Sequence, residues 1–390
     1  MNIGIAGPIE VYSLKEHLNN LSDDDLTLGL GGTAINTLID GFIKAGHNVI
    51  VFTLDRRVKE KYILQGDNLK IIFGYFRTST KLKMLDFDRN EYKQIAQFIK
   101  EEENNIDIVN AHWSYEFAIG TILSDVPHLI TFRDHAQTIL RVVKRPYLIT
   151  RLLMNTWVKS KAKNVMFNSP VLKERIGLEG FIIPNPIKDT YITTSRKFPK
   201  DKNIFYICFI ANSSYYLKNP INALKAFSIF QKKNDIRAEL HFIGNEYSPE
   251  SKIAQIAKNN NWDKNVIFKG DIKFEQMMEA LDFYDLLLHT SREESFGNTL
   301  IEAMAKGIPV IGGVKSGAVP WVLDNGEAGC LVDVEDVNNI AEALACILSN
   351  PLYYEQLSSS GINNLKNRFS QKSICSLYVD IYNKIINTYK

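Results

Sequence analysis

The sequence predicts two doubly wound α/β domains, in which helices cover both faces of mostly parallel sheets. The first observation is length, because 390 residues can form two or three domains, each with its own core. The second is the repeated alternation of short apolar runs, typical of buried strands, with amphipathic segments, typical of helices. The third is that polar residues follow several of the predicted strands, as in sheets whose strand ends line a crevice.

The composition is that of a soluble globular protein, with 45% hydrophobic and 23% charged residues. A net charge of +2 gives no reason to expect nucleic-acid binding, and no run approaches the roughly 18 apolar residues of a membrane span. The four cysteines are scattered, and the start of the chain lacks the features of a signal peptide. These observations favour a reduced, cytoplasmic protein.

The first predicted strand covers residues 3–7, and a glycine-rich stretch at 29–34 opens a helix before the next strand. Gly29, Gly31 and Ala34 fit the dinucleotide-binding fingerprint, with Asp55 at about the right distance. That fingerprint requires a strand that runs directly into its first glycine, and here the strand ends at residue 7. A dehydrogenase is therefore disfavoured, and a flexible loop is one alternative for these glycines.

Two further predicted strands, at 106–113 and 127–135, end in polar residues: His112 on the first, then Arg133, Asp134 and His135 on the second. Because neighbouring strand ends point to one crevice, we expect a site here, although a lone histidine is more often structural.

Asp86 and Asp88 form an Asp-x-Asp pair of the kind that can chelate a divalent metal. Two carboxylates are too few to fix a metal without nearby partners. A solvated pair at the start of the following helix is the favoured interpretation, and no metal site is predicted.

The segment 135–173 contains no Asp or Glu but eight basic residues: Arg141, Lys144, Arg145, Arg151, Lys159, Lys161, Lys163 and Lys173. Apolar residues are interleaved with them. Such a region can lie on an anionic membrane surface. A pair of core-packing helices with a solvated basic face is an equally open alternative.

The stretch 290–310 is the most informative part of the chain. It follows an apolar run at 286–289, enters a helix near Gly297, stops at Gly307 and leads to a second apolar run at 308–311. This order predicts a strand–loop–helix–strand unit. The free N–H groups at the start of its helix suit a phosphate or a sugar oxygen.

Two carboxylates mark this unit, Glu294 in the loop and Glu302 in the helix. Glu302 is two residues from both Leu300 and Met304, so it is expected to point away from their apolar face, toward a cleft or solvent. Two solvated glutamates on an ordinary helix are the alternative.

The run from Glu294 through Phe296-Gly297 and Glu302 to Ala303-Met-Ala-x-Gly-x-Pro-Val310 resembles the donor site of the retaining nucleotide-sugar glycosyltransferases of family 4. The resemblance implies the glycosyltransferase B fold, with two domains facing across a cleft. It implies domains at 1–187 and 188–369, and a final helix at 370–390 that crosses back to the first domain.

The same resemblance implies roles for individual residues. Glu294 would contact hydroxyl groups of the donor sugar and Glu302 the ribose, and the other donor-binding residues would be Ser295, Phe296, Gly297, Asn298, Thr299, Gly31 and Gly32. Lys218 matches a lysine that grips the donor pyrophosphate, whereas Asn212 stands where the family has an arginine.

The acceptor side departs from the family pattern. His112 is kept, with Asn110 in place of the other family histidine at that strand end. Arg133 occupies the place of the family's acceptor-side histidine, and His135 follows two residues later. The predicted catalytic residues are Glu294, Lys218, Arg133 and His135, and the acceptor-side residues are His112 and Asp134.

The implied reaction moves a sugar, with retention of configuration, from a nucleoside-diphosphate sugar to a hydroxyl group of a glycan or lipid-linked acceptor, in cell-surface polysaccharide or glycan biosynthesis. No cofactor or metal beyond the donor substrate is expected, and the protein would lie in the cytoplasm or on the inner face of the membrane. Asn212 and Arg133 keep two alternatives open: a sugar-nucleotide-binding subunit with little or no catalysis, and a nucleotide-sugar epimerase.

Overall fold

The computed structural model describes residues 1–212 and 215–389, Tyr215 by its backbone alone. The chain divides into two compact units. The first contains residues 1–186 and the C-terminal stretch from 371, and the second contains residues 187–370.

An eight-stranded sheet forms the centre of the first unit. Its strands are β1 (Asn2–Ala6), β2 (Asn48–Asp55), β3 (Tyr62–Gln65), β4 (Leu69–Tyr75), β5 (Ile108–His112), β6 (His128–Phe132), β7 (Val165–Phe167) and β8 (Phe181–Ile182). The strand order is β3-β4-β2-β1-β5-β6-β7-β8, and every pair is parallel except β3 with β4. Strands covered on both faces are almost continuously apolar, as β6 is in His128–Phe132, where every residue is buried.

The helices of this unit connect and cover its strands. They are α1 (Thr33–Lys44), α2 (Thr80–Asp86), α3 (Arg89–Glu101), α4 (Glu116–Leu123), α5 (Ala136–Val143), α6 (Tyr147–Lys161) and α7 (Pro170–Ile176). Ser169 caps α7 by accepting a hydrogen bond from the Leu172 N–H, and Pro170 occupies the first helical position, where its missing N–H has no consequence.

A six-stranded parallel sheet forms the centre of the second unit. Its strands are β9 (Phe205–Ile210), β10 (Ala238–Ile243), β11 (Val266–Gly270), β12 (Leu286–Leu288), β13 (Val310–Gly313) and β14 (Cys330–Val332), in the order β11-β10-β9-β12-β13-β14. Its helices are α8 (Tyr215–Lys218), α9 (Pro220–Lys233), α10 (Lys252–Asn259), α11 (Phe274–Ala280), α12 (Asn298–Ala305), α13 (Val319–Val322), α14 (Val337–Ser349) and α15 (Pro351–Arg368). The prediction of doubly wound α/β architecture is confirmed for both units.

The last helix, α16 (Gln371–Tyr389), belongs to the first unit. Its buried face includes Tyr378, Ile381 and Tyr382, and the Tyr382 hydroxyl accepts a 2.8 Å hydrogen bond from Asn110 Nδ2 at the centre of the sheet. Asn110, which replaces a family histidine, therefore fastens this helix. Leu377, on the same helix, is exposed.

None of the helices in the described ranges is long and apolar enough to cross a membrane.

Candidate functional site

The loop between β12 and α12 has a fixed backbone. The Ala318 N–H donates a 2.9 Å hydrogen bond to the Glu294 carbonyl oxygen. Gly317 has a φ of +61°, and a Cβ there would collide with the same carbonyl. Gly297, with a φ of 93°, precedes the first residue of α12, and the helix starts without a side-chain cap. These constraints hold Glu294 beside an uncapped helix N-terminus, whose partial positive charge favours anions.

The Glu294 carboxylate is surrounded by basic groups. Its Oε1 accepts a 2.5 Å hydrogen bond from Lys218 Nζ and lies 3.2 Å from His289 Nε2, which is not aligned as a hydrogen-bond donor. Burial raises the pKa of Glu294, but the charge of Lys218 and the contact with His289 outweigh burial and hold this pKa far below its usual range. Glu294 is therefore ionised at neutral pH and suits hydrogen-bond acceptance and charge stabilisation rather than proton transfer.

His289 is a site residue that the sequence analysis missed. It follows β12 directly, is almost fully buried, and its Nδ1 lies 3.2 Å from the Thr299 hydroxyl in the first turn of α12. The ring thus connects the strand end, the loop glutamate and the helix start. The available signal was its place as the polar residue that ends an apolar run.

Hydrogen bonds to the backbone around Lys218 hold this residue in place. The Thr290 hydroxyl donates to the carbonyl oxygens of Lys218 and Asn219, at 3.2 and 2.9 Å. The Arg292 N–H donates to the Leu217 carbonyl at 2.7 Å. The end of α8 is therefore fastened to the loop that carries Glu294, and the structure brings these two predicted catalytic residues together.

Asn212, at the position of the expected arginine, has a different partner. It is exposed, and its Oδ1 accepts a 3.1 Å hydrogen bond from the Asn245 N–H. The segment 211–219, predicted to grip the pyrophosphate, includes Ser213 and Ser214, which lie outside the described residues.

Glu302 is in α12 and is only 6% exposed, so its side chain is not solvated, and its orientation toward a cleft stays a prediction. Burial raises its pKa to about 8, and within the described ranges it has no hydrogen-bond or ion-pair partner. Its carboxyl is neutral at pH 7 in the structure as it stands. A helical position two residues from the apolar face still lies close enough to neighbouring elements to be covered by them.

The remaining donor-loop residues divide into two groups. Phe296 is buried and packs edge-on against Trp321 and Phe369, so its side chain anchors the loop in the core, and its role in donor binding stays a prediction. Ser295, Asn298 and Thr299 are partly exposed at the loop end and the helix start.

Gly31 and Gly32 precede α1 with φ values of 87° and 109°. A Cβ on Gly32 would collide with the Pro8 carbonyl oxygen, so only glycine fits there. Asp55, the acidic residue of the dinucleotide fingerprint, accepts a 2.7 Å hydrogen bond from the Gly29 N–H. It closes the glycine-rich loop, in a defined conformation.

Arg133 and His112 form a second cluster, at the carboxyl ends of β6 and β5. Arg133 Nε and Nη2 donate to His112 Nδ1 at 3.1 and 2.9 Å, and Nη1 donates to Asn185 Oδ1 at 2.6 Å. His112 is fully buried, and burial with the charge of Arg133 lowers its pKa well below the usual value. Asn185 lies in a segment that the sequence analysis assigned only to the domain boundary.

Asp134 and His135 have other partners. The Tyr115 hydroxyl donates a 2.7 Å hydrogen bond to Asp134 Oδ1, and burial raises the pKa of Asp134. His135 precedes the first residue of α5, and its Nδ1 lies 2.8 Å from the Thr138 hydroxyl. The structure therefore does not bring His112, Arg133, Asp134 and His135 into one cluster.

Asp86 is partly exposed but Asp88 is fully buried, so the interpretation of a solvated pair is wrong for Asp88. Asp86 accepts two 2.9 Å hydrogen bonds from Arg77, and Asp88 is fully buried and accepts one at 2.7 Å from the Tyr147 hydroxyl. Burial raises the pKa of Asp88 to about 6. Across residues 1–212 and 215–389, no three His, Cys, Asp or Glu side chains come together as a candidate metal site.

The acid-free segment 135–173 has both a buried and an exposed side. Arg151 Nη1 donates a 2.8 Å hydrogen bond to buried Glu116, so this basic residue is structural. Ile149 and Leu153 are 54% and 51% exposed on the same helix, and Lys144 and Arg145 are exposed just before it. Membrane binding stays a prediction.

Two family models match the chain, one described as glycosyltransferase family 4 over residues 31–189 and one as glycosyl transferases group 1 over residues 191–364. N-acetyl-alpha-D-glucosaminyl L-malate synthase of Bacillus anthracis is 31% identical over 153 residues, which are 39% of this chain and 39% of that protein. Poly(ribitol-phosphate) alpha-N-acetylglucosaminyltransferase of Staphylococcus aureus is 28% identical over 152 residues, 39% of this chain and 30% of that protein. The matched region thus spans well under half of either relative.

The fold also matches a solved structure over its whole length. Sucrose-phosphate synthase of Thermosynechococcus elongatus superposes with a TM-score of 0.77, 17% identity and coverage of 100% of both chains.

Proposed function

Because this chain belongs to the group 1 glycosyltransferases with the glycosyltransferase B fold, we propose that it moves a hexosyl group from a nucleoside-diphosphate sugar to a hydroxyl acceptor, with retention of configuration. The names of the two relatives, both N-acetylglucosaminyl enzymes, support a hexosyl donor and make N-acetylglucosamine the first sugar to test. The polymeric acceptor named for the Staphylococcus aureus relative supports a role in cell-surface polysaccharide or glycan biosynthesis.

The observation that carries the proposal is the ion pair of Lys218 and Glu294 beside the start of α12. Departure of a nucleoside diphosphate requires positive charge next to the pyrophosphate, and Lys218 with the helix N-terminus supplies it. The ionised Glu294 accepts hydrogen bonds from hydroxyl groups of the donor sugar and fixes the reacting carbon. We propose that these groups suffice without a metal, so that turnover persists in excess EDTA.

We propose that the nucleotide ribose binds at Glu302. A buried carboxyl without a protein partner gains a hydrogen bond when a hydroxyl pair arrives. We propose that a phosphate or an acceptor approaches the start of α1 at Gly31 and Gly32, which carry no side chain that would block it.

A transfer assay tests the function. UDP, GDP and ADP sugars are screened by thermal shift, because a bound donor raises the melting temperature by mass action. The best donor is then offered a broad hydroxyl-acceptor panel, with mass spectrometry of the products. A glycosylated product with the donor's anomeric configuration is expected, and an inverted product excludes retention.

Asn212 favours a second candidate, a sugar-nucleotide-binding subunit with little or no catalysis, because the expected arginine is missing. Donor binding without transfer to any acceptor would support that candidate. Conversion of the donor sugar into its epimer would instead indicate an epimerase.

We propose that exposed Ile149 and Leu153, with nearby Lys144 and Arg145, bring the protein to anionic membranes that hold a lipid-linked acceptor. Flotation with phosphatidylglycerol vesicles should show binding that weakens with salt. Ile149→Ser with Leu153→Ser should abolish it, whereas the exposed apolar residue Leu352 of the second unit offers a matched control, Leu352→Ser.

A further inference from the structure

Arg133 is a partly buried cation without an anionic partner. Its hydrogen-bond partners are the neutral ring of His112, the side-chain amide of Asn185 and the Tyr378 hydroxyl. No carboxylate lies within ion-pair distance of it in the part of the chain that the structure describes, and its neighbour Asp134 is bonded to Tyr115. Removing a guanidinium from water without a counter-charge is unfavourable, so this arrangement lacks a component.

His112 adds an unsatisfied donor to the cluster. Its Nδ1 accepts from Arg133, so the ring proton is on Nε2. That nitrogen is buried and has no hydrogen-bond partner among the described residues. Gly7, which directly follows β1, packs closely against His112, since a Cβ there would lie 3.1 Å from His112 Cβ. Among the described residues, the cluster therefore combines a guanidinium without an anionic partner and a buried N–H donor without an acceptor.

The position of the cluster argues for a ligand rather than a packing role. His112 ends β5 and Arg133 directly follows β6, and these strands are adjacent and parallel. Ligands of doubly wound folds bind at this carboxyl edge. The guanidinium has five N–H groups in a planar fork, which matches the oxygens of a carboxylate or phosphate.

We propose that Arg133 is a specificity-determining residue that binds a carboxylate or phosphate group of a substrate, with His112 and Asn185 as positioning residues. This inference rests on the proposed glycosyl transfer. The anionic group has two possible sources, a phosphate or carboxylate on the acceptor and the C6 carboxylate of a uronic-acid donor. Both have the same chemistry at Arg133.

A binding experiment on the full chain tests the site without turnover. Inorganic phosphate and malonate are titrated by thermal shift at constant ionic strength, on wild type, Arg133→Gln and the matched control Lys218→Ala. We expect a saturable rise in the melting temperature in wild type and Lys218→Ala, and a loss of at least about 30-fold in apparent affinity in Arg133→Gln, the range for truncating one partner of a charge pair. Arg133→Lys, which keeps the charge but not the fork, should fall between.

An equal response in wild type and Arg133→Gln, or no response in either, overturns the proposal. A response lost only in Lys218→Ala assigns the anion to the second unit and overturns it as well. If Arg133→Gln does not fold, the Arg133→Lys titration decides, because an unchanged affinity there excludes recognition by the fork.

A kinetic comparison identifies the source. Matched acceptors with and without a 6-phosphate, and UDP-glucose against UDP-glucuronate, are compared in wild type and Arg133→Gln. The substitution should lower kcat/KM for the anionic member of one pair at least about 30-fold more than for its neutral partner. Equal losses for neutral and anionic members overturn the proposal. Absence of transfer from every donor would refute the proposed function while the binding result still decides the site.

Discussion

Lys218, at the end of α8 in the second unit, and Arg133, directly after β6 in the first unit, are neutralised differently. Lys218 donates a 2.5 Å hydrogen bond to the ionised Glu294, whereas Arg133 donates to neutral groups and has no carboxylate within ion-pair distance among the described residues. The paired cation is balanced before a ligand arrives, and the unpaired cation is not. The difference indicates that a ligand anion must replace Glu294 as the partner of Lys218. At Arg133, the ligand anion supplies a partner that is lacking.

Loss of the Lys218 side chain, which breaks the ion pair with Glu294, should have the largest effect. Lys218→Ala should lower kcat/KM by about 3–5 kcal/mol, because it removes the side-chain charge that opposes the pyrophosphate and leaves Glu294 buried without its main partner. Donor-dependent steady-state kinetics measure this loss.

Lys306→Ala is the matched control, since Lys306 also forms a 2.8 Å ion pair in the second unit, with Asp282. A loss of only about twofold in Lys218→Ala, roughly 0.4 kcal/mol, would make Lys218 a surface lysine and would misplace the pyrophosphate.

Removing the anion of the same pair should be almost as damaging. Glu294→Ala should lower kcat by roughly 10²–10³, the scale for one lost electrostatic contact in the transition state. Glu302→Ala should instead raise the donor KM. The assignment of these roles fails if the two variants change kcat and KM in the same proportion.

Glu302 has a buried carboxyl and, unlike Glu294, no basic partner among the described residues. Its contribution to the free energy of unfolding should therefore depend on pH. The unfolded chain releases this proton near pH 4.3, whereas the folded protein keeps it up to about pH 8. Between these values the unfolded state binds fewer protons, so rising pH lowers the free energy of unfolding. This loss should be absent in Glu302→Gln.

Denaturant unfolding from pH 5 to pH 8 measures the dependence. Relative to wild type, Glu302→Gln should gain at least about 1 kcal/mol in unfolding free energy between these values, since each pKa unit corresponds to about 1.4 kcal/mol. Parallel curves for the two proteins would show that Glu302 titrates normally.

Arg292 should give the smallest effect, although it lies two residues from Glu294. Its guanidinium donates to Glu335 Oε1 and to the Tyr216 carbonyl, both at 2.6 Å. We expect Arg292→Ala to change donor kcat/KM by no more than about twofold. A loss like that of Lys218→Ala would show that Arg292 supplies the charge missing at Asn212.

The sequence predicted the strand–loop–helix–strand unit well, because apolar runs, glycine stops and helix signals are local. β12, α12 and β13 lie where the pattern placed them. Burial of polar groups was harder to predict. Glu302 and Asp88 read as solvated, yet neighbouring elements cover both, and a single helix or strand pattern does not contain those neighbours.

The two site clusters were predictable to different degrees. Lys218 and Glu294 were named from motif positions, and the structure brings them together. His112 and Arg133 were expected at neighbouring strand ends. Asn185, which completes their cluster, lies 52 residues after Arg133 in the chain. Long-range partners of this kind follow from tertiary packing and leave no periodic signal.

Nucleotide binding to variants of both cations is a direct test of whether the donor pyrophosphate binds at the Lys218–Glu294 site. UDP, GDP and ADP are titrated by calorimetry into wild type, Lys218→Ala and Arg133→Gln. We expect Lys218→Ala to bind the nucleotide that wild type binds most tightly with at least about 30-fold lower affinity. The affinity of Arg133→Gln for this nucleotide should stay within about twofold of wild type. The opposite pattern, or equal affinities in all three proteins, would contradict the assignment of the donor pyrophosphate to the Lys218–Glu294 site.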